Sequence, residues 1–140
     1  MMKRFLLAAA CIALLCGCQE NNPEPVKTLD ITGTWELSSV STKASVGSET
    51  VSVYISFLAE GTFELYQKIG AGRYTYFSGT YFLNKEENLL YGEYEGGSAW
   101  GPYEAEQDGT TLKLSKKAGK EVDTYKKIDS IPASVTENTY

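Results

Sequence analysis

Few residues in this chain are equipped for chemistry. None of its 140 residues is histidine, and its three cysteines, Cys11, Cys16 and Cys18, all fall at the N terminus. A Ser–His or Cys–His nucleophile and the usual zinc ligand sets are therefore out of reach downstream. Carboxylates remain: between Glu86 and Leu112 the chain carries seven acidic residues and no basic one. Glu93, Glu95, Glu104 and Glu106 are the densest set. They suit an acid–base pair acting on a glycoside, or oxygen ligation of calcium. In the strand registers derived below, however, these four lie on an outward face, where no cleft would raise a pKa. Lys113 and the lysines at 116, 117 and 120 stand nearby to neutralise them. The expectation is no enzyme, no cofactor and no metal.

The other chemistry is at the N terminus. Lys3 and Arg4 precede an apolar run from Phe5 to Leu15, the layout of a secretory signal. The run is too short to span a bilayer, which needs about 20 apolar residues. Leu15-Cys16-Gly17-Cys18 resembles a bacterial lipobox, with an apolar residue at −3 and a small one before the cysteine. The resemblance implies cleavage after residue 17, so that 1–17 is a lipoprotein signal peptide, and lipidation of Cys18. Several acyl chains would then partner the protein stably with the membrane. Cys16 is the rival acceptor, with the bulky Leu15 before it, and an unanchored secreted protein is the alternative. Residues 18–28 are polar and carry Pro23 and Pro25, which suits an extended, lipid-anchored linker. Gln19, where an aspartate often marks inner-membrane retention, points by the same resemblance to the outer membrane, periplasmic or surface face undecided.

Cleavage would remove Lys3 and Arg4 and no acid, leaving 11 of the 13 basic residues against all 18 acidic ones, a net charge of −7. That excess excludes nucleic acid as a partner on electrostatic grounds. With no cysteine beyond Cys18, the domain must be held by its core alone. Ten tyrosines and two tryptophans favour β structure.

Residues 29–128 divide into eight strand-like segments with turn residues between them. The first runs roughly over 33–42, after which a loop around 46–48 leads to 50–58. There Val51, Val53, Ile55 and Phe57 alternate with Ser52, Tyr54 and Ser56. A three-residue turn at Ala59-Glu60-Gly61 sets Phe57 against Phe63, Ile55 against Leu65 and Val51 against Ile69. A four-residue loop over 85–88 sets Leu83 against Leu90, Tyr81 against Gly92 and Gly79 against Tyr94, whereas a three-residue loop, the alternative, would point Leu89 and Tyr91 inward. Gly96-Gly97-Ser98-Ala99-Trp100-Gly101 reads as a flexible loop displaying a tryptophan. Asp108-Gly109 reads as a two-residue turn that sets Ala105 against Leu112, Tyr103 against Leu114 and Glu104 against Lys113. Residues 116–120 form a basic loop, 121–128 the last strand and 129–140 a C-terminal tail. No segment shows a sustained 3.6-residue apolar period. Sequential hairpins point to an all-β, eight-stranded antiparallel up-and-down barrel, since closure removes unpaired edges. A sandwich or an open sheet is the alternative.

Gly33-Thr34-Trp35 at the start of the first strand resembles the lipocalins, in which such a tryptophan closes the barrel floor. Gly79-Thr80-Tyr81, Trp100 leading into Asp108-Gly109-Thr110-Thr111-Leu112-Lys113-Leu114, and Thr124-Tyr125-Lys126-Lys127 with Ile131-Pro132 join it. Together they resemble the lipocalin-like domain of Gram-negative lipoproteins over 31–135. The resemblance implies an eight-stranded barrel and a role in binding an apolar ligand or in interaction. It also implies a cation packed over the tryptophan, for which Lys126 or Lys127 stands in place of an arginine. A helix after the barrel is not expected here, because the tail is short and proline-interrupted.

The candidate ligand-binding residues are those expected on the inner face: Trp35, Val53, Ile55, Phe57, Phe63, Leu65, Tyr81, Tyr94, Tyr103 and Tyr125. Eight strands leave room for side chains or one small ligand, so these residues either fill the barrel or line a pocket with tyrosine hydroxyls orienting a head group. The expected function is a lipid-anchored envelope monomer binding a small hydrophobic or amphipathic ligand. The alternative is an envelope protein–protein interaction module with a filled barrel, displaying the 96–101 loop and the acidic face.

Overall fold

Alternating apolar and polar residues interrupted by glycine-rich turns build eight strands: β1 Gly33–Val40, β2 Val51–Phe57, β3 Thr62–Ile69, β4 Thr75–Asn84, β5 Leu89–Tyr94, β6 Ala99–Asp108, β7 Thr111–Lys116 and β8 Val122–Ile128. The computed structural model describes residues 28–40, 50–116 and 121–140. The expected signal peptide at 1–17, Cys18, nearly all of the expected linker, the loop around 46–48 and the lysines at 117 and 120 lie outside the described residues. Each strand pairs antiparallel with the next and β8 returns to β1, so the sheet is a closed barrel.

The turn at Ala59-Glu60-Gly61 gives the expected register, Phe57 against Phe63 and Val51 against Ile69, with Gly61 at φ 89°. Leu83 faces Leu90, Tyr81 faces Gly92 and Gly79 faces Tyr94, as the four-residue loop requires. The β6–β7 hairpin differs. Asp108 pairs with Thr111, so the two turn residues are Gly109 and Thr110. Ala105 then faces Leu114 and Glu106, rather than Glu104, faces Lys113. Gly109 supplies the positive φ, 58°, at the first turn position. Because the slip is of two residues, every side chain keeps its face.

Two bulges re-aim the inner face. On β1, Ser38 is an extra residue between Leu37, opposite Tyr125, and Ser39, opposite Thr124. It brings Val40 opposite Asp123. On β6, Gly101 and Pro102 together oppose Tyr91, which puts Trp100 opposite Gly92. Trp100 is therefore strand, not loop, and its ring turns into the barrel. Proline in a strand interior is tolerated at such a bulge.

Trp35 closes the floor. It is fully buried, and its Nε1–H donates to the Ile31 carbonyl at 2.8 Å. Lys127 Nζ sits 5.5 Å from its ring centroid. Lys127, not Lys126, is thus the cation over the tryptophan. The tail is more ordered than expected: α1, Ala133–Thr136, forms one helical turn after Pro132 and buries Val135, and Thr139 bridges to Tyr74. Proline at a helix start removes no intrahelical hydrogen bond, so Pro132 does not block this turn. Outside, Tyr54, Tyr66 and Tyr76 stand side by side across β2, β3 and β4. Burial, then the hydrogen bond and charge of Glu36, push the Tyr54 phenol up to about 12.

Candidate functional site

A cavity of about 320 Å³ occupies the barrel above Trp35 and opens at the end where β1 finishes and β2 begins. Eight of the ten expected ligand-binding residues line it: Val53, Ile55, Phe57, Phe63, Leu65, Tyr94, Tyr103 and Tyr125. Period-two alternation in β2, β3, β5, β6 and β8 brings them there from distant parts of the chain. The other two lie outside the lining. Trp35 is sealed beneath the cavity. Tyr81 packs edge-on to Phe57, with ring centroids 4.9 Å apart, and its hydroxyl donates to the Leu58 carbonyl at 2.8 Å. Both belong to the floor, because each spends its polar atom on a backbone carbonyl.

Leu37, Val40, Val51, Gln67, Leu114, Trp100 and Asp123 complete the lining. Leu114 and Val51 follow from the strand registers alone. Asp123 was also within reach of the pattern: if Tyr125 points inward, residues two away on the same strand do too, which places Asp123 at the mouth and Lys127 at the floor. Trp100 was not, because its inward aim depends on the β6 bulge.

The Trp100 ring covers Gly92 and meets Phe63 at 5.4 Å and Tyr103 at 6.0 Å between centroids. Its Nε1–H is buried and finds no acceptor among the described residues. A Cβ on Gly92 would lie 2.0 Å from the indole carbons Cε2 and Cζ2. Gly92→Ala is therefore expected to displace the Trp100 ring. Because a side chain can yield where backbone cannot, the expected cost is about 1–3 kcal/mol, read as a lowered denaturant midpoint with altered tryptophan emission. Gly96→Ala, where a Cβ would meet nothing within 4 Å, is the control and should fall within about 0.5 kcal/mol of the parent.

Asp123 is the one carboxylate in the lining. Burial raises its pKa above the ordinary 3.8, the Glu121 charge raises it further and Lys116 opposes. A carboxyl whose folded-state pKa is raised stabilises the fold in its protonated form. That contribution is complete below about pH 3.8 and is lost as pH rises through the folded value. Asp123→Asn is thus expected to melt higher than the parent at neutral pH, with the difference closing in acid. Burial also raises the Tyr125 phenol, with contributions from Asp123, Tyr103 and Tyr94.

The expected surface carboxylates stay outside. Glu93, Glu95, Glu104 and Glu106 are exposed. Glu64, Glu93 and Glu95 border an outer cleft of about 380 Å³, where Ser78 donates to Glu95 at 2.8 Å. Among the described residues, no three acidic side chains converge as a metal site.

The family model described as a lipocalin-like domain matches residues 31–114, more than half of the chain. Among solved structures, the chain is similar to a lipoprotein YedD from Klebsiella pneumoniae at 12% identity, covering 76% of this chain and 79% of that one with a TM-score of 0.52. At that identity the likeness is one of fold. No curated protein matches the chain.

Proposed function

The chain belongs to the lipocalin-like domain family, and from that premise we propose that it binds a small hydrophobic or amphipathic molecule inside the barrel, while tethered to the cell envelope through an acylated Cys18. The observation carrying the binding reading is the 320 Å³ cavity, walled by Ile55, Phe57, Phe63 and Leu65 and edged by tyrosines. Its volume lies at the small end of the range for ligand pockets. The reading of a filled barrel acting as an interaction module is weaker, because Trp100, the anchor it needed on the 96–101 loop, faces the barrel interior. No catalytic role is proposed, since Glu93, Glu95, Glu104 and Glu106 are exposed on the outer face.

The anchoring reading rests on Leu15-Cys16-Gly17-Cys18 and the polar residues after it; the outer membrane is the proposed destination. Cys18→Ala should shift the protein from the membrane to the soluble fraction and abolish incorporation of labelled fatty acid. Retention in the membrane with label intact would move the anchor to another residue. Native mass spectrometry of protein purified from its own host, with thermal shift against apolar dyes, tests binding. A co-purifying small molecule or a dye-dependent rise in Tm is expected; neither appearing would refute it.

A further inference from the structure

We propose that the barrel cavity selects an amphiphile with an ammonium head group, held by the Asp123 carboxylate beside the hydroxyls of Tyr94, Tyr103 and Tyr125. The inference rests on the ligand-binding reading above and names the head-group chemistry for it.

Besides Gln67 and the Trp100 indole N–H, four polar side chains line this largely apolar cavity without a side-chain hydrogen bond to any described residue: Asp123, Tyr94, Tyr103 and Tyr125. Tyr125 is 9% exposed, yet its hydroxyl has no such partner, whereas the phenols of Tyr54 and Tyr81 each donate to a protein oxygen. Among the described residues the Tyr125 hydroxyl is not one of the fully buried unpaired atoms, so it opens onto the cavity rather than being sealed in the wall. These are therefore polar groups with bonding capacity left for a guest.

The sign of the charge follows from who else faces the site. Asp123 lies on β8 between Val40 of β1 and Leu114 of β7, both apolar. The nearest described cation is Lys116 at the rim, and it is 3.6 Å from Glu121. Lys126 is outside the barrel, and Lys127 is at the floor over Trp35. Among the described residues lining the cavity, Asp123 is the one that carries a charge. A carboxylate flanked by aromatic rings attracts an ammonium twice, by a charge-assisted hydrogen bond and by the ring quadrupoles. It repels the carboxylate of a fatty acid, so the same residue supplies both selection and rejection. An acidic protein surface also steers cations toward the mouth. The raised pKa of Asp123 is consistent with a carboxylate held in an apolar wall without its own partner.

The test uses the folded barrel with octylammonium, octanoate and octanol, read by tryptophan fluorescence and calorimetry at neutral pH. Trp100 in the lining provides the optical signal. Octylammonium is expected to bind about ten- to a hundredfold more tightly than octanol, and octanoate more weakly than either. Asp123→Asn, which should leave the fold intact or firmer, is expected to erase the octylammonium advantage and leave octanol unchanged. Tyr125→Phe should weaken octylammonium severalfold while its circular dichroism matches the parent. If octanol and octanoate bind as well as octylammonium, or Asp123→Asn changes nothing, the head-group inference is overturned and the ligand-binding reading stands. If none of the three binds, both fall.

Discussion

Trp35→Ala is expected to destabilise the barrel by about 3–5 kcal/mol, the range for deleting a buried aromatic ring. Three losses coincide at this position. The fully buried ring leaves a cavity under the apolar core, the Ile31 carbonyl loses its 2.8 Å donor, and Lys127 loses the face it rests on. A domain of this size has about 5–15 kcal/mol in total, so the variant should melt more than about 10 °C below the parent. Trp35→Phe keeps most of the ring and removes the indole donor. It should lose only about 1–3 kcal/mol, the cost of an unsatisfied buried acceptor. Urea unfolding followed by far-ultraviolet circular dichroism measures both. Equal midpoints for parent and Trp35→Ala would show that the floor does not hold the barrel together.

The second large effect is expected at Gly79. A Cβ there would lie 2.0 Å from the Glu93 carbonyl oxygen and 2.9 Å from Phe63 Cε1. The oxygen belongs to the neighbouring strand, so it cannot swing aside as a side chain would. Gly79→Ala must separate β4 from β5 or shift their register, breaking ladder bonds in a barrel whose closure depends on every strand pair. The expected loss is about 3 kcal/mol or more, at the upper end of overpacking effects. The variant should also exchange its β4 and β5 amides faster than the parent. The contrast with Gly92→Ala tests the reasoning, because the two glycines sit on paired strands and differ in what they meet, backbone at one and the Trp100 ring at the other. If Gly92→Ala proves the more damaging, this account of strand contact is wrong.

The two glycines also show where sequence pairing stops being informative. The β4–β5 register correctly sets Gly79 against Tyr94 and Gly92 against Tyr81. Yet the rings nearest to them are Phe63 and Trp100, which arrive from β3 and β6. Each glycine is covered by its partner on the strand on its other side, Phe63 across β3–β4 and Trp100 across β5–β6, and the alternation within β4 and β5 does not set those two registers. The β6–β7 turn is a milder case. Asp108-Gly109 identified the hairpin, but the ladder extends to Asp108 and Thr111, and the core pattern is indifferent to a two-residue slip.

Local signals determined a good deal. Alternation marked β2 and its partner β3, the turn residues fixed two hairpin registers, and inward parity found eight of the cavity-lining residues. Gly33-Thr34-Trp35 located the floor. These succeed because a strand's facing and a turn's backbone are settled within a few residues of chain. Tertiary structure alone decided the rest: the bulges at Ser38 and at Gly101-Pro102, the inward turn of Trp100, and which strands bring Tyr94 and Tyr103 to the mouth where Asp123 lies. A bulge shifts parity for everything beyond it, and closing eight strands into a ring sets which parities face one another. That geometry exists only once the last strand has met the first.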